Sequence, residues 1–128
     1  MTETLTKLSL IALAGSLGAL SRYGMQLAAR DILGHTTVLG TFVVNISGAF
    51  LIGLLFGLAE DHLSLSNTWR LTLSVGFLGA YTTFSTLMFD SVDSIERGDA
   101  MLAIANLTFS ILFGLLAVYA GLSVGRAV

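Results

Sequence analysis

Cysteine and proline are both missing from this 128-residue chain, histidine occurs twice, and only 11% of the residues are charged. Without cysteine there is no disulfide, no thiolate metal site and no thiol nucleophile. Without proline, an interruption in a long helix must rest on glycine and on hydroxyl side chains. Soluble domains carry about 25% charged residues. A chain this short has room for one domain. With 55% hydrophobic residues it could not hide its apolar surface from water, so the composition indicates an all-α integral membrane protein. The net charge of −2 and the lack of any basic run give no sign of nucleic-acid binding. No HExxH, GxSxG, P-loop or pair of intramembrane acids is present, so nothing marks an enzyme. The start, Met1-Thr2-Glu3-Thr4-Leu5-Thr6-Lys7, lacks a cationic n-region, and the apolar stretch after it is too long for a cleaved signal peptide. It reads as part of the first span.

What is present is four apolar stretches, 5–29, 38–59, 69–92 and 101–124, each reaching the ~20 residues that cross a bilayer. Arg30-Asp31, Glu60-Asp61-His62 and the Asp93 to Asp99 turn separate them. The connections are short, so the expected architecture is an up-and-down bundle of four transmembrane helices in a single domain. Gly53-xxx-Gly57 and Gly121-xxx-Gly125, with Gly15-xx-Gly18 and Ser47-Gly48, are small-residue faces that let membrane helices approach closely. So little interior remains that a solute pathway calls for a second copy. Lys7, Arg70 and Arg126 fall on one side of the membrane, and Arg22, Arg30 and Arg97 on or near the other. This balance removes any positive-inside preference and predicts dual topology and an antiparallel dimer.

The stretch that organises the chain is Gly76-Phe77-Leu78-Gly79-Ala80-Tyr81-Thr82-Thr83-Phe84-Ser85-Thr86, in the middle of the third span. Hydroxyls fill a lipid-facing helix poorly, but they satisfy backbone groups released where a helix breaks inside protein. Two glycines three apart are expected to supply the freedom for such a break. A continuous helix with its hydroxyls bonded back to its own carbonyls is the alternative.

Other polar residues carry two readings each. Arg22 either snorkels beside Tyr23 or attracts an anion at a pore mouth. Asn45, deep in the second span, is either inter-helix glue or a group that hydrates an ion. Asn106 and Ser110, four apart, share one helix face and with Thr108 make the fourth span partly polar. Asp90 is a proton or cation site, a polar-track acceptor, or the start of the charged turn, the last being the plainest reading. Phe77, Phe84 and Phe89 are ordinary membrane residues unless a ring edge meets an anion. His35 and His62 have no partner at metal-ligand spacing and read as solvated loop residues.

Gly15-xx-Gly18-Ala19-xx-Arg22-Tyr23, then Gly40-Thr41-xxx-Asn45, then Gly76 through Thr86, in this order and spacing, resemble the Fluc/CrcB fluoride channel family across all four spans. The resemblance implies a small dual-topology homodimer in the bacterial plasma membrane that exports fluoride passively through two antiparallel pores. It also implies a structural sodium ion (Na+) at the dyad, held by the backbone carbonyls of Gly79 and Thr82. By the same likeness Asn45 and Arg22 match vestibule residues and Phe84 the first pore phenylalanine. Ser110 matches a polar-track serine on the fourth helix, Thr41 a second-helix threonine of the fluoride pathway, and Asp90 stands where relatives usually have Glu. Thr83 and Thr86 join the fluoride pathway as hydroxyl donors. Leu87 replaces the expected second pore phenylalanine, Ala80 replaces a glycine, and Asn106 stands where some relatives have Tyr. A leucine lacks a polarised ring edge, so Leu87 is expected to lower conduction without abolishing it.

Three other functions compete with the homodimeric channel. The first makes the chain one subunit of a heterodimeric channel, although its balanced charges favour self-sufficiency. A proton-coupled exporter like the small multidrug resistance proteins needs a first-helix acid, and none occurs between Leu5 and Ala29. A non-transporting assembly subunit would use its membrane polar residues only as packing glue.

Overall fold

The computed structural model describes residues 2–33, 37–61 and 65–128. His35 and His62 lie outside the described residues. The described chain is almost wholly helical: α1 (Thr2–Leu33), α2 (Thr37–Asp61), α3 (Asn67–Leu71), a π-helical stretch Thr72–Leu78, α4 (Gly79–Tyr81), α5 (Phe84–Glu96) and α6 (Ala100–Ala127). By length and composition four segments can cross a membrane: Thr2–Ile32, Val38–Glu60, Asn67–Glu96 and Ala100–Ala127. The third is the composite one, built from α3, the π-helical stretch, α4 and α5.

Small residues set the packing. α2 lies along α6 through Gly53, Gly57, Gly121 and Gly125, all of them buried. A methyl group on Gly125 would stand 2.7 Å from both the Leu54 carbonyl oxygen and the Leu58 nitrogen. α1 lies along the π-helical stretch, with Gly18 against the Phe77 carbonyl and Gly76 against Ile11 and Ala14. Such contacts suit a membrane, where dispersion between closely approaching backbones replaces hydrophobic burial as the driving force. At one end of the bundle Arg126 makes a two-point ion pair from α6 to Glu60 on α2, Nε to Oε2 at 2.7 Å and Nη2 to Oε1 at 3.2 Å. At the other end α5 turns into α6 through Gly98, whose φ of 85° closes the turn, and Asp99 caps α6 by accepting from the Leu102 N–H.

The break in the third span corrects the expectation about glycine. Gly79 is helical, with φ −64° and ψ −34°, and Gly98 is the only residue of positive φ among those described. The chain leaves the helix instead at Thr82 (φ −81°, ψ 156°) and Thr83 (φ −147°, ψ 111°), in extended conformations open to any residue. Gly18 and Gly76 serve close approach, not flexibility. Both hydroxyl readings are realised in different places. Thr72 and Ser74, within the π-helical stretch, and Thr82, beyond it, bond back to the carbonyls of Thr68, Arg70 and Leu78. Thr83 caps the helix that follows.

Candidate functional site

The break is held by a side chain from another helix. Asn45 on α2 accepts the Thr83 N–H at Oδ1 (2.8 Å) and donates from Nδ2 to the Thr83 carbonyl (3.0 Å). One amide therefore satisfies both backbone groups of the most extended residue, as unpaired backbone in a membrane requires. On the other side of the break the Thr83 hydroxyl accepts from the Thr86 N–H at 3.2 Å and lies 2.9 Å from the Thr86 hydroxyl.

These two bonds have a consequence for the carbonyls. In a continuous helix the Thr83 N–H would serve the Gly79 carbonyl and the Thr86 N–H would serve the Thr82 carbonyl. Both donors are diverted, one to Asn45 and one to the Thr83 hydroxyl, so Gly79 and Thr82 lose their regular helical partners. Both residues line an open cleft of about 270 Å³ on the subunit surface, with Asn45 and Ser74. Tyr81 braces the break from inside. Its ring stacks on Phe77 at 6.0 Å, and its hydroxyl lies 2.8 Å from that of Ser47 on α2.

C-terminal to the break, α5 is inside out. Leu87, Asp90, Ser91 and Ser94 are buried while Phe84, Phe89, Val92 and Ile95 are exposed, the pattern expected where the surroundings are lipid or another subunit. Asp90 accepts the hydroxyl proton of Thr41, from α2, at 2.8 Å. Asn106 on α6 donates to the Ser91 hydroxyl at 3.3 Å and accepts from Ser110 at 3.5 Å. Ser91 in turn donates to the Leu87 carbonyl, and Ser94 to that of Asp90. Among the described residues every buried side-chain polar atom has a hydrogen-bond partner.

Thr41, Asn45, Thr83, Thr86, Asp90, Asn106 and Ser110 thus fall into two regions, at the break and along the α2–α5–α6 seam. Asp90 belongs to the seam, although its sequence position made the charged turn the plainest reading. Phe84 stands apart, 74% exposed on the subunit surface, while Leu87 is packed inside at 7%. Arg22 is half-buried on α1. Ser91 was missed by sequence reasoning. Its signal is the spacing of Leu87, Asp90, Ser91 and Ser94, which share one face while the aromatic and branched residues take the other.

A cavity of about 470 Å³ adjoins the seam near the α5–α6 turn. Its lining includes Thr86, Asp90, Arg30 at the end of α1, and the Asp93–Arg97 ion pair (2.9 Å). Among the described residues no group of three or more His, Cys, Asp or Glu side chains could hold a metal ion.

Known proteins match nearly the whole chain. The family model described as "CrcB-like protein, Camphor Resistance (CrcB)" matches residues 9–122. A protein of Solidesulfovibrio magneticus named "Fluoride-specific ion channel FluC" is 42% identical over 124 residues, 97% of this chain and 99% of its own. Proteins of the same name from Acidobacterium capsulatum and Solibacter usitatus are each 40% identical. Their matches cover 92% and 94% of this chain and 94% and 98% of their own lengths. With a family model over most of its length, and relatives at this identity along nearly all of its four apolar helices, the chain belongs to the CrcB-like family.

Proposed function

We propose that this protein is a fluoride-selective channel of a bacterial plasma membrane, which lowers cytoplasmic fluoride by passive export as an antiparallel, dual-topology homodimer. The observation that carries the reading is the Asn45-held break with its hydroxyl cluster, in a chain so closely similar to proteins named for fluoride conduction. Fluoride holds its water strongly, so a selective path must replace that water with closely placed donors. Thr83, Thr86, Thr41, Ser110 and the amides of Asn45 and Asn106 are such donors. Phe84 would present its positive ring edge to the ion. For the seam groups to serve an ion, bonds such as Ser110 to Asn106 must exchange for bonds to the anion. Hydroxyl rotation allows this at little cost. Arg22 would raise anion concentration in the vestibule.

The homodimer is supported by what one subunit leaves uncovered. Phe84 is exposed, and the cleft at Gly79 and Thr82 opens outward with polar groups in the middle of a membrane span. A second subunit crossing at the break would cover both. The balanced cations favour an antiparallel crossing. Sodium at the dyad fits the donor set: the diverted Gly79 and Thr82 carbonyls are hard oxygen ligands. There the ion would bind the two broken helices together, as a structural and not a transported species.

The test is fluoride efflux from liposomes holding the purified protein alone, loaded with potassium fluoride and opened electrically with valinomycin. Rapid fluoride efflux without chloride efflux is expected. Silence from well-folded dimers would favour the heterodimer reading, in which a second subunit supplies what Leu87 lacks.

A further inference from the structure

The cavity near the α5–α6 turn has an unusual chemistry for a path that carries anions. Its floor is Thr86 and Asp90, the two points where it touches the hydroxyl cluster of the break and the buried seam. Its walls add Asp93, so two aspartates line a space of about 470 Å³. Asp90 is 4% exposed and is engaged by the buried Thr41 hydroxyl. On their own, two carboxylates at the mouth of a low-dielectric channel would repel a small anion strongly, because such clefts focus the field of their charges. Arg30 and Arg97 line the same cavity, and Arg97 contacts Asp93 directly through Nη2 at 2.9 Å and Nε at 3.2 Å. The four formal charges sum to zero.

We propose that this cavity is a mouth of the conduction path, and that Arg30 and Arg97 neutralise Asp90 and Asp93 there so that fluoride can pass. The inference rests on the fluoride-channel reading and assigns the path's electrostatic control to residues outside the donor clusters. Phe89 and Tyr23, at the same cavity and largely exposed, form its apolar rim, while the ion-paired residues face the water. The seam would then join bulk water through Asp90 and Thr86. The two arginines would set how readily an anion enters or leaves, with little effect on which anion is chosen.

Charge sign makes the proposal testable. Wild type, Arg30→Gln, Arg97→Gln, Asp93→Asn and Arg30→Lys would be reconstituted, and fluoride efflux measured in potassium glutamate from about 10 mM to about 1 M. Over this range the screening length falls from ~30 Å to ~3 Å. At low salt the two glutamine variants leave the mouth one charge negative and should slow efflux about two- to fivefold, the scale of one unit charge acting across several ångströms of wet cavity. Asp93→Asn leaves it one charge positive and should speed efflux by a similar factor. Arg30→Lys should match wild type, which separates charge from fold. All rates should converge at high salt. Rates that ignore the sign of the mutation, or losses that persist unchanged at high salt, would overturn the proposal while a conducting wild type left the channel reading intact. A wild type silent to fluoride would overturn both.

Discussion

Asn45 and Thr83, on different helices and 38 positions apart, are joined by two hydrogen bonds that together complete the backbone of the third-helix break. The amide accepts at 2.8 Å and donates at 3.0 Å, so its orientation is fixed by the peptide it serves. Whatever else Asn45 would meet in the proposed dimer, it would meet from that fixed position. By taking the Thr83 N–H it also releases the Gly79 carbonyl.

Asn45→Leu should therefore do more than remove an amide from the proposed ion path. Both Thr83 backbone groups would lose their partners, a loss of about 1–3 kcal/mol for each unsatisfied buried group. Expected outcomes are a lower unfolding midpoint in a fixed detergent and fast hydrogen exchange at the Thr83 amide. Fluoride efflux should fall as well. A normal exchange rate at Thr83 would mean that the break holds itself.

Thr41→Val tests the buried carboxylate. Thr41 is fully buried and donates to Asp90, and leaving a buried acceptor without its donor costs about 1–3 kcal/mol. Removing the hydroxyl should lower stability by that order, and Thr41→Ser should restore most of it. If valine and serine behave alike in thermal unfolding, the hydroxyl matters only as volume.

Leu87→Phe places a larger side chain where Leu87 is already packed, 7% exposed beside the seam. Overpacking of this kind costs about 1–3 kcal/mol. A lowered melting temperature is the expected result. Full stability together with faster fluoride efflux would indicate instead that the position opens onto the path in the dimer.

The glycines should divide sharply. Gly125→Ala drives a methyl to 2.7 Å from the backbone of α2, so a loss of about 1–3 kcal/mol is expected. Gly24 is helical, and a methyl there would meet nothing within 4 Å, so Gly24→Ala should stabilise by about 0.5–1 kcal/mol. Thermal unfolding of both variants in one detergent decides the matter, and equal melting temperatures would contradict the packing described.

The amino-acid sequence by itself determined the class of this protein and the outline of its helices. Too few charges, too many apolar residues and four span-length runs leave a membrane bundle as the physical solution. The Gly76 to Thr86 stretch marked where an interruption of the third span could lie, but read alone it left a continuous helix with back-bonded hydroxyls equally open. Tertiary structure decided how the interruption is made. Gly79 stays helical, and the extended residues are Thr82 and Thr83, with the Thr83 backbone completed by an acceptor and a donor from Asn45 on another helix. Tertiary structure likewise moved Asp90 from a charged turn into a buried seam and added Ser91 to it. Local sequence carries backbone preference and polarity, but the partners of a polar group buried in a membrane are set by which helices pack together.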